Sequence, residues 1–150
     1  PKLDQAIARV KAARAEGLRI TANMYTYTAG STGLDAAMPP WVQAGGREAW
    51  IARLKDPATR ARVIADMRDP SPAWENLYRH AGAEGTLLVG FRTEALKPLA
   101  GKTLAEVARE RGVSPEDAAI DLVIADGTRV QVVYFLMSEE NVRRQTALPW

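Results

Sequence analysis

The sequence predicts an α/β fold interrupted by a mainly helical insertion. Three observations carry that prediction. Residues 3–16 have helical spacing, Gly17 stops them, and LRITANMYTY (18–27) follows as a β-branched and aromatic run. Two more runs of strand character, TLLVGF (86–91) and RVQVVYFL (129–136), recur among helical segments. Between them, 35–95 is dense in helix signals and proline punctuation.

The elements follow in order. Leu3, Ile7 and Val10 share one face of the first helix, and Gly17 supplies a left-handed C-cap. LRITANMYTY (18–27) reads as a strand, and 18–22, where apolar and threonine positions do not alternate cleanly, suit one covered on both faces. Gly30, Gly33, Pro39, Pro40, Gly45 and Gly46 make 28–46 a loop. REAWIARLKD (47–56) is helical, with Trp50, Ile51 and Leu54 on one side. Asp56-Pro57 starts the next helix, 57–68, and Asp69-Pro70-Ser71-Pro72 stops it. A short turn or helix is expected over 73–80. Thr103 and Glu106 form a capping box, Gly112 ends that helix, and Ser114-Pro115 starts another. Ser138 caps a last helix whose first turn holds Glu139 and Glu140, where the dipole favours acids. The boundaries so read are 1–34, 35–95 and 96–150, with the tryptophans of the middle part forming a small core of its own.

Composition narrows the chemistry. The chain has 150 residues, no cysteine and a single histidine, His80. A disulfide framework, a cysteine nucleophile and a thiolate metal site are thereby excluded, and the lack of cysteine fits a reducing, cytoplasmic setting. One histidine without HExxH or HxH argues against an internal zinc site. His80 itself reads as a solvated residue near a helix end. The net charge is +2 and acids interleave with the basic residues, so no track for nucleic acid is visible. No apolar run reaches the roughly 20 residues that span a bilayer.

Two strand ends stand out as candidate sites. ITANMYTYTAGSTGL (20–34) places Tyr25 and Tyr27 at i, i+2 and then Thr28, Ser31 and Thr32 around two glycines. Such hydroxyls can simply pack, or they can donate to an anionic group where a strand leaves its sheet. GSTG lacks the lysine and spacing of a phosphate-binding loop. YFLMSEENV (134–142) is the second. Met137 reads as core or pocket wall, and Ser138 as a cap rather than a nucleophile. Trp41 is a weak candidate for a gating role.

ITANMYTYTAGSTGLDAAMPPWVQAGG, AGKTLAEVARERG and VVYFLMSEENV together resemble the N-acyl-D-amino-acid deacylases (D-aminoacylases) of the amidohydrolase superfamily. Where that family commonly shows Tyr-Pro-Tyr, this chain has Tyr25-Thr26-Tyr27. The resemblance implies an internal segment of a TIM-like barrel: late βα units in 1–34 and 96–150, and a lid-like insertion in 35–95. It implies a parent hydrolase that uses zinc, with no catalytic or metal-binding residue in this segment, and a small-molecule N-acyl-D-amino acid as partner. Tyr25 and Ser31 match the family's contacts to the substrate carboxylate, and Met137 matches a methionine lining the side-chain pocket. The isolated segment is then expected to be inactive and to self-associate through uncovered strand edges. Two alternatives stand beside it: another amidohydrolase, dihydroorotase-like or an acylase, and a non-catalytic α/β ligand-binding or interaction module.

Overall fold

The structure is a computed structural model and describes residues 2–70 and 73–150. Ser71 and Pro72, half of the expected helix stop, lie outside the described residues. The chain divides into two compact units, Ala29–Leu136 and a second made of both flanks, Pro1–Thr28 with Met137–Trp150. The division falls at 28/29 and 136/137, not at 34/35 and 95/96.

The larger unit is mixed α/β. Its strands β1 (Ala29–Gly33), β2 (Thr86–Gly90) and β3 (Gln131–Phe135) form an antiparallel sheet in the order β1-β3-β2. β3 is central and its sequence explains why. QVVYF alternates, so Val132 and Tyr134 point to the core while Gln131 and Phe135 are exposed. Gly30 and Thr32 pair with Tyr134 and Val132 on one side, and Thr86 and Leu88 pair with the same two residues on the other.

Helices pack on this sheet. They are α2 (Pro40–Gln43), α3 (Gly46–Lys55), α4 (Pro57–Arg68), α5 (Leu77–Ala81), α6 (Leu104–Arg111) and α7 (Pro115–Asp126), with 3₁₀ turns at Leu34–Ala37 and Glu94–Leu99. The expected caps are present. Asp56 accepts from the Thr59 N–H and Ser114 from the Asp117 N–H. The Thr103–Glu106 box closes in both directions, at 2.7 Å and 3.2 Å. Trp50 and Leu54 of α3, Val63 and Met67 of α4, and Ile120 and Leu122 of α7 belong to the same buried cluster as Val132 and Tyr134. The stretch 35–95 therefore shares one core with 96–136 rather than owning a small one. Of its tryptophans only Trp50 is buried. Trp41 is half-buried, donates its indole N–H to Asp66 at 2.7 Å and lies beneath the Arg62 guanidinium.

Buried charge ties these helices together. Glu116 accepts from Arg68 at 2.8 Å and from the Tyr78 hydroxyl at 2.9 Å. Burial pushes the Tyr78 hydroxyl up, and the Glu116 bond adds to that. Burial would raise Glu116 as well, but the bonds from Arg68, its own backbone and Tyr78 outweigh it and hold the carboxyl below its usual range. Arg60 bridges Asp117 and Asp121, each at 2.7 Å.

The flanking unit contains α1 (Lys2–Ala15) and α8 (Glu139–Thr146). Gly17, at φ 92°, ends α1 as expected, with Leu18 N–H donating to the Ala13 carbonyl and Gly17 N–H to Arg14. Ser138 caps α8 by accepting from Asn141 N–H. The predicted strand over 18–27 is absent. That stretch is extended chain, held by Ala22 N–H to the Trp150 carbonyl and, just beyond it, by Met137 N–H to the Thr28 carbonyl. A strand needs a ladder partner, and no neighbour offers this segment one among the described residues. The ladder forms a few residues later, where AGSTG pairs with β3 in what reads as a loop. The late barrel units expected of this chain thus correspond here to a small antiparallel sheet and helices.

Candidate functional site

β1 delivers the hydroxyl-rich stretch to the edge of a cleft. Its other walls come from the start of α3, the segment leaving β2, and the turn between α7 and β3. The cleft encloses about 1030 Å³ and is lined by Ser31, Thr32, Asp35, Gln43, Arg47, Trp50, Phe91, Arg92, Thr128 and Arg129, among others.

Asp126 holds two of these walls in register. This buried carboxylate accepts from Arg92 N–H at 2.9 Å and Thr93 N–H at 2.8 Å, while its second oxygen accepts from the Thr128 hydroxyl. Burial acts to raise it, but the bonds from Thr128, Thr93 and Arg92 prevail and keep it below the ordinary aspartate range. Val130, next in the turn, has φ 51° and is 1% exposed. Its carbonyl accepts from Leu34 N–H at 2.9 Å, and its N–H donates to Thr128 Oγ1 at 3.1 Å.

Charge on the walls is mostly positive. Arg47, Arg92 and Arg129 all line the cleft, with Asp35 as the one acid among its described lining residues. Asp35 Oδ2 meets Arg129 at 2.7 Å. Its Oδ1 and the Trp50 indole N–H are buried without a hydrogen-bond partner among the described residues. Among the described residues Arg47 and Arg92 form no ion pair. These three arginines are far apart in sequence, and nothing in their local spacing announces the cluster.

The residues singled out from the sequence are distributed over both units. Ser31 is exposed on β1, lines the cleft, and donates its hydroxyl to the Val132 carbonyl at 3.1 Å. Tyr25 belongs to the flanking unit and is 60% exposed, and its ring meets that of Tyr27 edge-on at 5.4 Å. The two tyrosines thus stay together without a strand beneath them. Met137 also belongs to the flanking unit and is half-buried. His80 is exposed near the end of α5.

Among the described residues no group of three or more His, Cys, Asp or Glu could hold a metal ion. None of the described helices is long and apolar enough to cross a membrane. Comparison with known proteins adds no relative: no protein-family model, no curated protein and no solved structure matches the chain.

Proposed function

We propose that this chain is a substrate-binding segment of a metal-dependent hydrolase that deacylates N-acyl-D-amino acids. The observation that carries the reading is the placement of the hydroxyl-rich stretch. Ser31 and Thr32 sit on a strand bordering an arginine-lined cleft, a setting suited to a carboxylate-bearing molecule. The resemblance of three ordered segments supplies the reaction class. On this reading Tyr25 and Ser31 contact the substrate carboxylate and Met137 contacts the substrate side chain. The zinc ligands belong to chain outside residues 1–150, so the isolated segment is inactive and self-associates.

Ser31 meets a specific demand here. Its proton rests on the Val132 carbonyl, so donation to a substrate requires the hydroxyl to rotate away. Tyr25 is exposed and donates no hydrogen bond among the described residues, so its phenol is the readier donor. The test is hydrolysis of N-acetyl-D-amino acids and their L-enantiomers by the full-length protein, with and without chelator. D-selective, chelator-sensitive turnover is expected. Tyr25→Phe should lower kcat/KM about tenfold, the worth of one hydrogen bond to a charged group. No hydrolysis of any D-substrate by the metal-loaded protein rejects the deacylase reading, and an unchanged kcat/KM in the variant rejects the role of Tyr25.

The alternative of a non-catalytic ligand-binding module is favoured by the same cleft, whose arginines suit binding with or without turnover.

A further inference from the structure

We infer that the cleft of the larger unit binds a small oligoanion, a molecule carrying two or more phosphate or carboxylate groups. This goes beyond the deacylase reading and does not depend on it. Three arginines line the cleft from three separate stretches: Arg47 in the first turn of α3, Arg92 beyond β2, and Arg129 before β3. Asp35 neutralises only Arg129. Elsewhere in the unit Arg60, Arg68 and Arg109 each face a carboxylate, whereas Arg53, Arg62, Arg79 and Arg111 also form no ion pair among the described residues, so what distinguishes Arg47 and Arg92 is that they line one cleft together. Two like charges at one concave surface repel, and an anion between them converts that repulsion into attraction.

The start of α3 adds to the same field. Its N-cap, Gly45, offers no side-chain acceptor to the first amides, and Gly46 and Arg47 line the cleft. The positive end of this ten-residue helix, whose first turn also carries Glu48, thus has no side-chain cap beside the two arginines. At about 1030 Å³ the cleft has the size of a small-molecule site. A nucleic acid is not favoured, because the net charge is +2 and the remaining basic residues alternate with acids.

Calorimetric titration of the protein with pyrophosphate, with citrate and with glycerol as a neutral control tests this. At low ionic strength pyrophosphate, citrate or both should bind with a Kd below about 1 mM, and glycerol should not. Which of the two binds assigns the oxyanion as phosphate or carboxylate. Arg47→Gln and Arg92→Gln should each weaken binding about tenfold, whereas Arg111→Gln, on α6 and away from the cleft, should leave it unchanged. Among the described residues neither the Arg47 nor the Arg92 side chain makes an internal hydrogen bond or ion pair to lose, and circular dichroism of each variant verifies that the fold persists. Absence of saturable heat with both anions up to about 10 mM overturns the inference. So does binding that neither cleft variant alters.

Discussion

A β-carbon on Gly33 would lie 2.2 Å from Asp35 Oδ1 and 2.9 Å from the Arg129 side chain. Gly33 keeps an ordinary extended backbone, at φ −95°, so what the position requires is space rather than conformational freedom. Its missing methyl lets the Asp35–Arg129 pair close against β1. Gly33→Ala is expected to destabilise the protein by about 1–3 kcal/mol through overpacking, read as a lower urea midpoint with unchanged slope. Val130 presents the opposite case. A β-branched residue in the left-handed region is disfavoured by about 1–3 kcal/mol and persists because its burial and two backbone bonds hold it there. At this scale the sequence displayed Tyr25, Ser31 and Met137 as candidates because their types cluster locally. Arg47, Arg92 and Arg129 stayed hidden because tertiary folding alone joins residues so far apart, and each sits among ordinary surface charge in its own segment.

Helices were legible wherever the chain carries its own terminators. Asp56, Thr103, Ser114 and Ser138 all cap as their sequence positions suggest, since a cap is a contact between residues three apart. Thr103→Ala removes the bond to Glu106 N–H and one half of the box. The expected loss is about 1 kcal/mol, measured by chemical denaturation, with Thr103→Ser restoring most of it. Strands were legible only in part. TLLVGF and RVQVVYFL form ladders, whereas ITANMYTYT has the stronger strand composition and AGSTG holds the strand. Strand formation is settled by which segment reaches a free edge of β3, and side-chain propensity is a weak guide to that contest.

For the whole molecule, acid is the informative stress. Glu116, Asp117 and Asp126 all have carboxyls held below their ordinary values in the folded state. A depressed folded value means the unfolded chain binds protons first. The stabilisation is thus complete above the ordinary carboxyl range, about pH 4, and is lost as pH falls through the lower folded values. The Tm should be flat between about pH 8 and 5 and drop steeply below about 4, and Glu116→Gln should lessen the drop. A Tm that rises on acidification would contradict the assignment. The division into units was not legible, because 35–95 looked self-contained until its apolar faces were seen to share a core with 96–136.

Ala29 and Phe135, almost the two ends of the larger unit, face each other as ladder partners. The chain therefore leaves this unit beside the point where it came in, as it does at the base of a hairpin. Geometrically, the unit is a cassette: a host needs only two adjacent attachment points to carry it. Residues 29–136 produced alone should accordingly unfold in one cooperative transition, and a two-residue turn should be able to replace them in the longer chain. Shuffling of such cassettes offers a route by which one scaffold acquires a new binding surface without rebuilding its own core.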